Sequence, residues 1–515
     1  ESQLIETGQI MKKPSSFAQL SGFGVCMLFS AAWAADNKAN PFSYDYAEEA
    51  AIARGIDVDK PDPELLRSIF AKRRARVLQA IPDGAMLIFS VDRAQERRLE
   101  FQVPHSDNHD FIYLTGLDGL DSLHSALLLV PAALDATGRL DEEPRSRAVL
   151  FTSGDPQALA RRTGIEDVRP FAELEKELSV AMTDFRDWRV TQVRRWPLAA
   201  ALSRAWGDEE KVLYLNYPRF FRLGEPEPSR LESFARIQRF SPEIEARDSA
   251  DILDRIRMLQ DSWSLANLRR AVDITGDGIV EALRAARAGM TETEVMEIMD
   301  FVYRYHGAAL GFPTSVQRQP STGVAAGPHI PEGWIEFVPR SGGAVLQAGD
   351  MVWTDTGAEF NHYSADLQRA APVDGKFTAE QRRLYTIALD VQKTVIGMVR
   401  PGVTWWELHD KAVSMLRGAG GYDADYYYGI GHFIGMEVHD EGDYLVPLQA
   451  GMVLSIEQGV MKPGEARIAF EDDVLVTADG YEWLSRGIPI EIDEVEAMLA
   501  KPGAFEDFVD ARRNR

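Results

Sequence analysis

Apolar positions recur at helical spacing through residues 62–80, "DPELLRSIFAKRRARVLQA". After a Pro-Asp-Gly turn they close up into the short run "AMLIF" (85–89), so the pattern predicts a helix followed by a buried strand. "DFIYLTGL" (110–117), "SALLLVPAAL" (125–134) and "SRAVLFT" (146–152) read as further strands between Gly, Asp and Pro turns. Strands alternating with helices point to an α/β unit. Residues 185–250 give no clear period, and the Pro-rich "GEPEPS" (224–229) lies among clustered Arg and Trp.

Beyond this stretch a helical pattern returns in "DILDRIRMLQDSWSLANLRRAVDITGDGIVEALRAA" (251–286). A second helix is expected at 291–307, where Thr291 precedes Glu294 by the capping-box spacing. Strand-like runs "DMVWTDTGAEF", "GMVLSIEQGVM" and "RIAFEDDVLV" then alternate with helices expected near 378–399 and 404–419. The division expected is residues 1–34 as upstream residues and a signal peptide, an α/β domain over 35–245 and a second domain over 246–515.

The chain is 515 residues long, 45% hydrophobic and 26% charged, ample for two packed cores. Its net charge of −24 argues against nucleic acid, because phosphate binding needs a basic patch. The stretch from Met11 has Lys12 and Lys13, a mainly apolar segment and Ala32-Trp33-Ala34, the layout of a secretory signal with cleavage after Ala34. Export to a bacterial periplasm or the exterior is the expectation, with no stable membrane insertion once the signal is removed. The single cysteine, Cys26, lies inside that segment, so a metal in the mature chain would be held by His, Asp and Glu.

Four places carry candidate chemistry. Asp355 and Asp366 lie in two strand-like pieces joined by a turn-rich "EFNHYS"; two such carboxylates brought together repel unless a cation lies between them. Alone, a solvated or turn-capping pair is the commoner reading. His432 lies among glycines 429, 431 and 435, and taken alone reads as a structural histidine or a ligand. Glu457 ends one apolar run, and Glu471, Asp472 and Asp473 interrupt another. Carboxylates in buried strands are costly unless paired or bound to metal, although an edge strand also tolerates them. The set Asp355, Asp366, His432, Glu457 and Glu471 is oxygen-rich and suits Mn²⁺, with Zn²⁺, Co²⁺ or Fe²⁺ as substitutes. Five such ligands can hold two divalent metal ions if some carboxylates bridge.

The wording "WTDTGAEFNHYSADLQR", "GHFIGMEVHD", "GMVLSIEQG" and "FEDDVLVT", in this order, resembles the pita-bread metallopeptidases, and in particular the aminopeptidase P and prolidase branch that cleaves Xaa-Pro bonds. "SDNHDFIYLTGLDGLDSLHSALLLVP" is similar to that branch's N-terminal domain. The resemblance implies an α/β N-terminal domain followed by an α+β pita-bread (creatinase/aminopeptidase-like) domain with a curved antiparallel sheet. It implies that Asp355 chelates one metal, that Asp366 and Glu471 bridge two, and that His432 and Glu457 complete the other. A metal-bridging hydroxide would be the nucleophile, Glu457 the proton shuttle, and His439 a hydrogen-bonding partner of the substrate near the scissile carbonyl. The substrate implied is a proline-containing peptide, and a homodimer or higher homo-oligomer is expected.

Several positions depart from the branch. Val338 stands where a substrate-binding His is usual, with His329 nearby as a substitute from a loop. Tyr428 replaces another His and keeps a hydrogen-bond donor for substrate. Gln458 and Met461 replace a Pro and a Tyr, and Ala469 replaces an Arg, with Arg467 further along the same strand face. The alternative to a peptidase is a pita-bread protein that keeps the metal site for another task, as a phosphoester or organophosphate hydrolase or a binding protein.

Overall fold

The computed structural model describes residues 42, 45–81, 84–90, 96–97, 104–105, 108–130, 147–181, 211–217, 234–235, 238–239, 244–319, 343–426, 429–462 and 466–505. The expected signal segment, His329, Val338 and Tyr428 lie outside these residues, as does the side chain of Met461.

Helices α1 (Tyr46–Ala53) and α2 (Pro63–Ala80) start behind Asp45 and Asp62, whose carboxylates accept from the first free backbone amides. Six strands follow: β1 (Gly84–Phe89), β2 (Ala126–Val130), β3 (Arg147–Thr152), β4 (Asp167–Pro170), β5 (Lys211–Leu215) and β6 (Ile244–Asp248). They form one mixed sheet in the order β4-β3-β2-β1-β5-β6. Alternate residues of β1 and β2 join two different clusters, Met86, Ile88, Leu127 and Leu129 on one face and Ala85, Leu87, Ala126 and Leu128 on the other. Both faces are covered, which accounts for the unbroken apolar runs. The expected boundary at 245/246 falls inside β6, which pairs with β5 as far as Asp248.

The segment expected as a strand at 110–117 is a helix, α3 (His109–Thr115). Asn108 caps it by accepting from Phe111 N, Gly116 closes it at φ 69°, and all seven residues are buried. A helix buried all round has no polar face, so its apolar run imitated a strand.

The helical pattern of 251–286 divides into α4 (Ala250–Arg257) and α5 (Ser262–Ala285). The break is set by Asp261, which caps α5 by accepting from Ser264 N and also receives Arg73 Nε and Nη2 at 2.6 and 2.8 Å. Helix α6 (Glu292–Tyr305) begins with the expected Thr291–Glu294 capping box. A second sheet is built from β7 (Ser315–Gln319), β8 (Met351–Thr356), β9 (Leu367–Pro372), β10 (Val453–Lys462) and β11 (Ala466–Val476), with the short strand Tyr481–Trp483 paired to the end of β11. It is antiparallel throughout, in the order β7-β8-β9-β11-β10. Helices α7 (Ala379–Ile396) and α8 (Trp405–Gly418) add Tyr385, Ala388 and Leu408 to a core shared with Leu454, Ile456, Ile468 and Phe470 of the last two strands. Among the described residues no helix is long and apolar enough to cross a membrane.

Candidate metal centre

Strand register assembles the site. Asp355 on β8 lies opposite Gln368 on β9, Gln368 opposite Glu471 on β11, and Glu471 opposite Glu457 on β10. Four strands thus carry one row of polar side chains through an apolar sheet. Asp366, just before β9, groups with Asp355 and Glu471 beside this row. Its backbone N–H donates to Asp473 Oδ2 at 3.2 Å, and Asp473 shares a face with Glu471.

His432 reaches the row on an added edge. Ser455 N donates to His432 O at 2.8 Å, Glu457 N to Ile430 O at 2.8 Å and Ile434 N to Val453 O at 3.0 Å, so residues 430–434 run antiparallel beside β10. Gly431 makes this approach possible: its φ is 146°, and a Cβ there would collide with the carbonyl oxygen of Ser455. The glycine density noted in the sequence therefore serves close backbone packing.

Atoms of Asp355, Asp366 and Glu471 lie within 4.8 Å of one another, as do those of His432, Glu457 and Glu471 and those of Asp366, His432 and His439. The first two triads share Glu471, the arrangement two neighbouring cations would need. His432 Nδ1 lies 3.1 Å from Phe433 O. A carbonyl only accepts, so Nδ1 carries the proton in that bond and Nε2 faces Asp366 Oδ2 at 3.5 Å and Glu471 Oε1 at 3.4 Å. Asp366 Oδ1 is buried without a hydrogen-bond partner. An orphaned carboxylate oxygen, an oriented imidazole and a cluster of buried carboxylates fit divalent cations.

The electrostatics agree. Burial, then the neighbouring Glu471, push the Asp366 carboxyl well above the usual range and raise Glu457 to about 8. Asp473 is raised well above its ordinary value by the same two causes. Burial opposes protonation of His432, but hydrogen bonding to Asp366 and Glu471 outweighs it and the imidazole is raised well above its ordinary value. Glu471 is lowered: burial works against ionisation, and His432 and the Ser455 hydroxyl overcome it. Crowded carboxylates therefore share protons when no cation neutralises them.

All five proposed ligand positions come together, and His439 joins them with its ring 3.9 Å from that of His432. Ala469 lies opposite Gly459 in the strand pair, and Arg467 stacks its guanidinium 3.8 Å from the centre of the Trp353 ring. Gln458, next to Glu457, belongs to the opposite face, where its Nε2 donates to Ala388 O at 2.7 Å and Gln392 Oε1 at 3.2 Å. There Gln392 and Arg369 both donate to Asp472, which explains the Glu-Asp-Asp run: Glu471 and Asp473 face the site, while Asp472 ties the sheet to α7. Sequence reasoning missed Gln368 and Ser455, and noted Asp473 only as one of the charges interrupting an apolar run. The period-two step from Glu471 was the available signal for Asp473.

An α/β domain joined to an antiparallel sheet with in-register acidic side chains and an adjoining histidine is the arrangement that the resemblance to pita-bread metallopeptidases implies. Residues 266–478 match metallopeptidase family M24. The Xaa-Pro aminopeptidase of Escherichia coli is 25% identical over 480 residues, covering 85% of this chain and 98% of that protein. Xaa-Pro aminopeptidase 3 of Mus musculus is 26% identical over 439 residues, 77% of each chain. Among solved structures, proline aminopeptidase P II from Yersinia pestis is similar with a TM-score of 0.63 at 24% identity, over 84% of this chain and 99% of that one; this likeness speaks for the fold. Residues 266–478 carry an M24 metallopeptidase domain, and the chain has the pita-bread fold.

Proposed function

We propose that this chain is an exported Xaa-Pro peptidase, an aminopeptidase or dipeptidase that hydrolyses the bond before proline with two divalent cations. The observation that carries the reading is the row Asp355–Gln368–Glu471–Glu457 with His432 added beside it, because two triads sharing one glutamate make a two-cation donor set. The relatives named Xaa-Pro aminopeptidases, aligned over most of the chain, support the substrate class. The hard oxygen donors favour Mn²⁺. Asp355, Asp366, His432, Glu457 and Glu471 would hold such cations, which would supply Lewis acidity toward the scissile carbonyl and an ionised water at neutral pH. Glu457, grouped with His432 and Glu471, is the residue proposed to carry a proton to the leaving nitrogen. His439, near His432 and Asp366, is the residue proposed to donate to a substrate carbonyl, and that proximity supports the reading. The signal pattern of residues 11–35 supports export to a periplasm or beyond, and a homodimer is the proposed assembly.

The test is hydrolysis of an Xaa-Pro dipeptide and an Xaa-Pro-Xaa tripeptide by the Mn²⁺-reconstituted chain, beside Asp366→Ala and a metal count by mass spectrometry. Cleavage that disappears in the variant is expected, and the preferred length separates dipeptidase from aminopeptidase. Two bound cations with neither peptide cleaved would overturn the substrate class and favour a hydrolase of another ester or a binding protein.

A further inference from the structure

Gln368 occupies the centre of the carboxylate row, opposite Asp355 on one neighbouring strand and Glu471 on the other. It is 5% exposed. Its Nε2 donates to Glu471 Oε2 at 2.6 Å and lies 3.4 Å from Glu457 Oε2. A primary amide has two N–H donors and no charge, so one side chain can serve two carboxylates without neutralising either. The other oxygen of Glu471, Oε1, receives the Ser455 hydroxyl and faces His432 Nε2. Both oxygens of the glutamate shared by the two triads are therefore held, one by a hydroxyl and one by an amide. A carboxylate fixed in this way loses less freedom when it takes up a cation, and it presents its remaining lone pairs in one direction.

We propose that Gln368 is a positioning residue that holds Glu471 and Glu457 at a fixed spacing and so sets the affinity of the cation site these two share with His432. The proposal rests on the two-cation reading and adds to it a determinant outside the ligand set. Replacing the amide by an apolar group of similar length leaves Glu471 Oε2 without its donor and lets the two glutamates move apart.

The test is calorimetric Mn²⁺ titration of the metal-free chain and of Gln368→Met, together with the visible absorption of the Co²⁺-loaded proteins. The wild type is expected to take up two equivalents. Gln368→Met is expected to weaken one of them about tenfold or more, the scale of losing a hydrogen-bond partner behind a metal ligand, and to alter the Co²⁺ bands. Should the Met variant not fold, Gln368→Asn carries the same test, since its amide is one methylene too short to serve both glutamates. Two equivalents with unchanged affinities and an unchanged Co²⁺ spectrum, even with a lower thermal midpoint, would reduce Gln368 to a packing residue. A wild type that takes up no second cation would instead remove the two-cation reading, and this proposal with it.

Discussion

Arg467 lays its guanidinium 3.8 Å from the ring centre of Trp353, two strands away in the sheet that carries the site. Trp353 shares a strand face with Asp355, and Arg467 shares one with Glu471. The arginine expected at position 469 is thus absent, while a cation remains further along that face. Its charge is among the influences that lower Glu457, against the larger upward push of burial and Glu471. Arg467→Met removes the charge and a cation–π contact of about 0.5–2 kcal/mol. Glu457 then keeps its proton to higher pH, and the pH midpoint of Mn²⁺ uptake moves upward. A midpoint that stays in place would mean that the Arg467 charge does not reach the site.

The metal-free chain is expected to become less stable as pH rises. Asp366 and His432 are raised well above their ordinary values and Glu457 from 4.5 to about 8, so the folded chain holds protons there that the unfolded chain releases. Their contribution is complete below the unfolded values and is lost as pH climbs through the folded ones, for Glu457 between 4.5 and about 8. The lowered Glu471 acts in the opposite sense, but Asp473 is raised as well, so at this site it is one group against four. Cations displace these protons, so Mn²⁺ binding at neutral pH should release protons and tighten with pH. Thermal midpoints at pH 5 and pH 8, with and without Mn²⁺, check both statements. A metal-free chain that is more stable at pH 8 would contradict them.

The loop carrying His439 is anchored to the N-terminal domain by Arg257, whose Nη1 donates to Asp110 at 2.8 Å and whose Nη2 donates to Asp440. All three side chains are buried. His109 forms a second tie with Glu437 of the same loop. Arg257→Met leaves two carboxylates in an apolar surrounding without their cation, a loss of about 3–5 kcal/mol. Urea denaturation at neutral pH should show it, with the turnover of Xaa-Pro peptides reduced as His439 loses its support. A stability change below about 1 kcal/mol, the scale of an exposed pair, would show that water reaches the triad.

What was legible in the sequence follows from physical cost. Glu457 and Glu471 stood out because a carboxylate inside an apolar strand needs a reason, and Asp355, Asp366 and His432 then completed a donor set. The row itself was not legible, because the pairing of Gln368 with Glu471 joins strands about a hundred residues apart and is fixed by backbone hydrogen bonds. Gln368 carries no charge and gave no such signal. Nothing singles out Arg257 within the helical pattern of 251–286, since its partners Asp110 and Asp440 come from distant segments. Helix α3 was misread because its burial on every side erased the polar face by which a helix is recognised.

Gly431 offers the sharpest separation of fold from site. Its φ of 146° and its contact with the Ser455 carbonyl leave no room for a side chain. Gly431→Ala should push residues 430–434 off β10 and draw His432 away from Glu471, while Asp355, Gln368, Glu471 and Glu457 stay fixed by their own strand pairings. The variant is therefore expected to keep its far-ultraviolet circular dichroism and to weaken the cation shared by His432, Glu457 and Glu471 about tenfold or more. His432→Ala, which removes the ligand and leaves the backbone alone, should weaken the same cation at least as much. If Gly431→Ala retained both cations at wild-type affinity, the close approach of this segment to β10 would not be what delivers His432 to the centre.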